Sequence, residues 1–273
     1  MKKVLFAIVI LALVSIGAVV TIGAMAYDSI NVKMLSNNVV TREISVPAFQ
    51  KIEVSRVDLV LTPGPANGIV RLEAPENIAP HINVKVKDKK LVIELDDKVQ
   101  WEKGRINSIA YVTVPYVSSI DASLASKVEI LSDMAVEKDA KLEVATAAEI
   151  KAKTISAGGK FKIEANTAGI INLAGIKAGQ NCEIESNTAA KVIINSLSAA
   201  KADIEANTAG KVELASGFCT KVDFDANTGG SINAGALDYR TGEAEANTGG
   251  IVRCNSSKLS SIETATGGRV QSR

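Results

Sequence analysis

The chain has 273 residues, 47% hydrophobic and 22% charged, enough apolar material for a sizeable core and a balance that excludes disorder by composition. Its formal net charge is +1, and setting aside Lys2 and Lys3 leaves 29 basic against 30 acidic residues, without the basic excess that a nucleic-acid partner requires. Aromatic residues make up only 4%, so the core is expected to consist of thin layers of Ala, Val, Ile and Leu.

Residues 1–26, "MKKVLFAIVILALVSIGAVVTIGAMA", combine two lysines, a long apolar run and Ala24-Met25-Ala26, which fits the small-x-small rule of signal-peptidase cleavage. They read as an export signal. The alternative is an uncleaved N-terminal membrane anchor, because the run from Val4 to Ala26 is long enough to span a bilayer. No cysteine follows the run to accept a lipid. Residues 27–117 read as short strands ("REISVPAFQKIEV", "VDLVLTPG", "GIVRLEAP", "INVKVKDKKLVIELDD", "SIAYVTVPYV") separated by turn signals such as "PGPANG". They are expected to form an irregular β cap that continues into one structural unit with the rest.

Residues 118–273 repeat. "KIEANTAGII", "DIEANTAGKV" and "DFDANTGGSI" are near copies, and the threonines Thr167, Thr188, Thr208, Thr228 and Thr248 stand 20 or 21 residues apart. Weaker copies place Leu124, Thr146 and Thr266 in the same series, giving about eight coils. Four positions before this reference lie Ile120, Leu142, Ile163, Ile184, Ile204, Phe224, Ala244 and Ile262; four after it lie Val128, Ile150, Ile171, Val192, Val212, Ile232, Val252 and Val270. Apolar alternation on both sides of a fixed bend indicates strand, and no stretch long enough for an amphipathic helix occurs in the repeat. The fold expected is an all-β parallel β-helix, or β-solenoid, in which each coil buries its inward face by stacking on its neighbours.

The bends carry Gly169, Gly210, Gly230, Gly250 and Gly268, expected to supply the positive φ of a sharp turn. Asn166, Asn187, Asn207, Asn227 and Asn247 are expected to form an amide ladder from coil to coil, and Thr167, Thr188, Thr208, Thr228 and Thr248 a second one. Alternation points Thr inward and Asn outward, but a bend can break alternation, so either can face the core. The last coil leaves an open edge on which a second copy can pair.

This pattern resembles the head GIN domain family of bacterial adhesin-like proteins. The resemblance is carried by "FQKIEVSRVDLVLTPG", "KLVIEL", "AYVTVPYVSSIDASLASKVEI" and the "ANTAG" bends, over residues 44–270, although "NTAG" stands where the family commonly has Ser-Gly and small residues. It implies a right-handed parallel β-helix in an envelope or secreted setting, and an adhesion or extracellular binding role. It does not imply an outer-membrane barrel, for which nothing after Arg273 offers residues.

The chemistry is concentrated in two acidic rows. Three positions before the reference lie Asp121, Glu143, Glu164, Glu185, Glu205, Asp225, Glu245 and Glu263; two positions earlier lie Glu183, Asp203, Asp223 and Glu243. Both rows are expected to face solvent. They read either as a surface for Ca²⁺, a cationic polymer, a glycan or a basic envelope protein, or as a solvated face offset by Lys160, Lys191, Lys201, Lys211 and Lys221 that blocks sheet aggregation. The calcium repeat "GGxGxDx" is absent, and no cofactor is expected. The one histidine, His81, has no nucleophile elbow to serve. A polysaccharide lyase or glycosidase using paired carboxylates is the enzymatic alternative, and a self-assembling envelope protein is a third. Cys182 and Cys254 fall in inward rows, whereas Cys219 at a coil corner is the thiol expected to be exposed. Trp101 sits in a turn, where it either packs locally or stacks on a sugar.

Overall fold

The computed structural model describes residues 30–32, 34–101 and 106–272. Among these residues the regular elements are strands, with short 3₁₀ turns at Ala79–His81 and Ser256–Lys258. From Ser119 onward each repeat supplies one strand before the bend and one after it, for example Phe161–Ala165 and Ile170–Ala178, then Asn181–Asn187 and Lys191–Ile194. Every such strand pairs in parallel with its equivalent in the next repeat: Ile163 lies opposite Ile184, Ile184 opposite Ile204, Ile204 opposite Phe224, and Phe224 opposite Ala244. Eight rungs of a β-solenoid result.

A rung has three sides. In the strand Leu197–Asn207 the pairing with Gly217–Asn227 covers Leu197 to Ala199, skips Ala200, and resumes at Lys201. The side holding Lys201–Asn207 is here called the first face, Lys211–Leu214 the second, and Leu197–Ala199 the third. Strict alternation sends Ala202, Ile204 and Ala206 inward and Asp203 and Glu205 outward. Ala, Val, Ile and Leu, with Phe161, Phe224 and Tyr239, fill the space between the three sides. The inward row from Ile120 to Ala244 is at most 3% exposed.

The bend between the first and second faces is a type I′ turn. In the Asn166 bend, Thr167 and Ala168 have φ of 47° and 61°, and the Gly169 amide donates to the Asn166 carbonyl at 3.0 Å. The Ala168 amide donates to Thr188 of the next rung at 3.0 Å, so the inter-rung ladder runs through the turn itself. This corrects the expected role of the glycines. Positive φ falls on the threonines and the residue after each, while Gly169, Gly210, Gly230, Gly250 and Gly268 are not left-handed. What those positions require is close approach: a Cβ on Gly210 would lie 1.9 Å from the Ser186 carbonyl oxygen, and one on Gly230 1.9 Å from that of Ala206. Neither Asn nor Thr faces the core. Thr167, Thr188, Thr208, Thr228 and Thr248 are exposed and the asparagines half-buried, while Ala165, Ser186, Ala206, Ala226 and Ala246 point inward.

The parallel stack reaches back beyond residue 118. Lys51–Ser55 and Asp58–Pro63 pair in parallel with Ser119–Ser123 and Lys127–Ile130. On their other side lie Lys90–Leu95 and Ile109–Val114, also parallel. The chain thus enters the stack, leaves it, and returns on both sides of its first rung. The outermost rung is covered by antiparallel strands, Ile82–Lys87 on Lys90–Leu95 and Ile69–Pro75 on Ile109–Val114, with Val39–Ser45 continuing from Ile69–Pro75. Such a cap leaves no parallel edge at that end.

Candidate binding surface

Because the first-face strands stack in register, their outward acids form a continuous row. Asp121 lies opposite both Glu53 and Glu143, and the row continues through Glu164, Glu185, Glu205, Asp225 and Glu245 to Glu263. Glu53 is a member that the broken periodicity of the cap hides. Two positions earlier runs a row that changes sign along the stack. Lys90, Lys51, Ser119, Lys141 and Lys162 succeed one another, and then Glu183, Asp203, Asp223 and Glu243.

This change of sign divides the surface. In the first half, lysines bridge the acids: Lys90 to Glu53 at 2.7 Å, Lys141 to Glu143 at 2.8 Å and to Glu164 at 2.5 Å, and Lys162 to Glu164 at 2.9 Å and Glu185 at 3.0 Å. Burial pushes the Glu164 carboxyl up, but the hydrogen bonds from Lys141 and Lys162 outweigh it and hold the group below its ordinary value. In the second half, Lys201 and Lys221 serve the other row, reaching Asp203 at 2.6 Å and Asp223 at 3.0 Å from Lys201, and Glu243 at 3.3 Å from Lys221. Asp223 is held low in the same way as Glu164, burial being outweighed chiefly by Lys201.

Glu205 and Asp225 have carboxylate neighbours instead. Burial, followed by the charges of Glu185 and Asp225, raises the Glu205 carboxyl, and burial followed by Glu245 raises that of Asp225. Their amide neighbours respond. Asn187 donates to Asn166 at 3.2 Å, one step of an amide ladder, but Asn227 turns to Asp225 at 2.5 Å and Asn247 to Glu245. A shallow groove of about 350 Å³ follows these rungs, lined by Asp203, Glu205, Asp223, Asp225, Glu243 and Glu245. The carboxylates stand side by side on a flat sheet and do not converge on a point. Among the described residues no group of three or more Asp, Glu, His or Cys is arranged to hold a metal ion.

Of the lysines expected to offset the acids, Lys201 and Lys221 do so, whereas Lys191 lies on the second face, where it meets Glu213 at 2.9 Å. The main compensating pair, Lys141 and Lys162, was not picked out by spacing, because their row turns acidic at Glu183. All three cysteines are fully buried, Cys219 included: in Gly217–Asn227 alternation sends Phe218 outward and Cys219 into the core. Burial pushes the Cys219 thiol up to about 11. His81 closes a 3₁₀ turn in the cap, and half-buried Trp101 lines a separate groove with Arg56 and Leu124. A further apolar groove of about 310 Å³ lies in the cap between Phe49, Ile69, Val114 and Tyr116. It is assembled from segments far apart in sequence, so no local sequence signal marks it.

The sequence profile of the family described as "Putative auto-transporter adhesin, head GIN domain" matches residues 48–178 and 162–273, nearly all of the described solenoid and cap. The chain belongs to the head GIN domain family. No curated protein matches it. Solved structures share the head GIN fold at low identity. A "putative adhesin" from Parabacteroides merdae is 15% identical with a TM-score of 0.68, covering 89% of this chain and 99% of its own. A "putative adhesin" from Bacteroides fragilis is 15% identical with a TM-score of 0.60, covering 90% and 100%. A "putative lipid binding protein" from Parabacteroides distasonis is 12% identical with a TM-score of 0.56, covering 89% and 100%. At these identities the likeness is one of fold. No helix among the described residues of this head GIN chain is long and apolar enough to cross a membrane, a statement that does not bear on residues 1–26.

Proposed function

We propose that the protein is an exported, non-enzymatic binding scaffold of the adhesion type, whose second-half acidic surface receives a cationic partner such as an amino-bearing glycan or a basic segment of another envelope protein. One observation carries this reading. From Glu183 to Glu263 the first face holds nine carboxylates against two lysines, whereas from Glu53 to Glu164 lysines bridge the row. A face that served only for solubility would gain stability from the same lysine row throughout, since carboxylates one strand spacing apart repel by roughly 0.9 kcal/mol in water. The non-enzymatic reading is supported by the flatness of the groove and by its ring: Phe224 lies beneath it, 2% exposed, where it cannot stack on a sugar. Export follows from the reading of residues 1–26 as a signal, with an uncleaved anchor as the other form.

Binding of the purified protein to neutral, anionic and amino-bearing glycans and to polylysine, with product analysis, tests this. Retention of the cationic probes, weakened by salt and by E205Q/D225N, is the expected result. Release of shorter sugars would replace the scaffold by a glycan-active enzyme, and indifference to probe charge would remove the acidic surface from the function.

A further inference from the structure

The two ends of the stack differ. At one end antiparallel strands cover the outermost rung. At the other, Leu259–Thr264 pairs only with Asp238–Ala246, and Arg269–Ser272 only with Ile251–Cys254, among the described residues. Ile262 is 50% exposed there, in a row whose other members are at most 3% exposed, and Leu259 and Val270 are half-buried beside it.

We propose that this end rung docks on the same rung of a second copy, about a two-fold axis through the Thr266 bend, with Leu259–Thr264 antiparallel to the other copy's Arg269–Ser272. The first face runs toward the bend and the second runs away from it. A two-fold through the bend lays each first face over the other copy's second face in opposite directions, so a residue a given number of positions before Thr266 meets one the same number after it. Three before is Glu263 and three after is Arg269, both exposed and outward, which gives two symmetric ion pairs. Four before is Ile262 and four after is Val270, both in inward rows, so the exposed core residues cover each other. Five before and after are Ser261 and Gln271, which are polar.

Antiparallel pairing satisfies the free edges of both strands. The interface is isologous and uses the end rung of both copies, so assembly through it closes at two and no fibre forms.

The test is sedimentation equilibrium of the full chain in mild detergent, for wild type, E263R, R269E and an equimolar mixture of the two variants. Wild type is expected to form a reversible dimer. Each variant alone places like charges against each other at both symmetric contacts and should weaken the dimer at least about tenfold. The mixture should restore it, because the two variants complement each other at both contacts. Both positions are exposed, so circular dichroism should show both variants folded, and any association through residues 1–26 is the same in all four samples. A wild type that stays monomeric at its highest soluble concentration would overturn the proposal and leave the rung to solvent, a further chain segment or a different protein. A mixture no tighter than its components, or masses that grow past two copies, would overturn the two-fold geometry.

Discussion

Replacing Glu205 and Asp225 by their amides should raise stability while lowering binding. These residues stand in a row in which Glu185, Glu205, Asp225 and Glu245 are successive neighbours, so E205Q/D225N removes three carboxylate contacts. One strand spacing, about 4.8 Å, gives roughly 0.9 kcal/mol of repulsion per contact in water, and physiological salt about halves it. The expected gain at neutral pH is about 1 kcal/mol, or a Tm higher by about 2–4 °C for a domain of this size. The pH dependence is the sharper assay. Both carboxyls have folded pKa values above their ordinary ones, so their stabilising contribution is complete below the unfolded values and is lost as pH rises through the folded values. Glu164 and Asp223 are shifted down, so theirs is present above the unfolded values and is lost as pH falls through the folded ones. The wild type should therefore gain stability on mild acidification from neutral pH and lose it on stronger acidification, while E205Q/D225N keeps the loss and only that part of the gain due to Asp121, whose carboxyl is also raised, by burial and then by Glu143 and Glu53. Thermal melts by circular dichroism from pH 7 to 3 would show this. A double variant that melts at or below the wild-type temperature at pH 7 would refute the claim that this half of the row is uncompensated.

Gly230→Ala and Gly229→Ala should differ although they are adjacent. The first puts a Cβ 1.9 Å from the Ala206 carbonyl oxygen and should cost about 1–3 kcal/mol by urea unfolding, whereas the second enters open space at φ 74°, where Ala168 and Ala209 already stand in other rungs, and should cost about 1 kcal/mol or less. Lys162→Met removes the contacts to Glu164 and Glu185 and should raise the Glu164 pKa in an NMR titration, with a stability loss of about 1 kcal/mol that shrinks in high salt. Thiol reagents should leave Cys182, Cys219 and Cys254 unmodified in the native state and label all three in urea. If residues 1–26 act as the export signal, N-terminal sequencing of the mature protein should begin after Ala26; a retained Met1 in the membrane fraction would identify the anchor form instead.

The solenoid was legible because it is a repeat. A row such as Ile163, Ile184, Ile204 and Phe224 can be read directly from a spacing of 20 or 21, and the backbone pairs those same residues. The earlier rungs were not legible because insertions break their spacing: residues 64–89 separate Lys51–Pro63 from Lys90–Leu95, and residues 96–108 separate Lys90–Leu95 from Ile109–Val114, although these strands flank Lys51–Pro63 in space. The misreading of the glycines has a different cause. Sequence shows that a bend needs small residues, but left-handed backbone and close approach both select glycine, and only the carbonyl of the rung before, at 1.9 Å from a Cβ on Gly210, distinguishes them. The turn itself preserves a trace of this. Where alanine takes the place, the closing bond is longer, 3.2 Å at Ala148 and 3.1 Å at Ala190 against 2.9 Å at Gly210.

The acidic surface follows from the same regularity. A parallel stack makes every outward position a row, and a row of one charge sign is compensated only by a neighbouring row of the other. Here the outer row stays acidic from Glu53 to Glu263, so its energy is decided by the row two positions earlier, which runs lysine at 90, 51, 141 and 162 and then acid from Glu183. The fold does not need that reversal, because the backbone pairing and inward rows continue unchanged across it from Phe161–Ala165 to Asn181–Asn187. Repulsion that the architecture could have reduced with one more lysine per rung, as Lys90, Lys141 and Lys162 reduce it in the earlier rungs except at Asp121 beside Ser119, is the kind of local cost that a binding surface retains. Replacing Asp203 and Asp223 by lysine should extend the lysine row across the acidic half, offset Glu205 and Asp225 at the expense of the pairs with Lys201 and Lys221, and abolish retention of polylysine. A variant so compensated that still bound cationic probes with wild-type strength would place the binding surface elsewhere on the molecule.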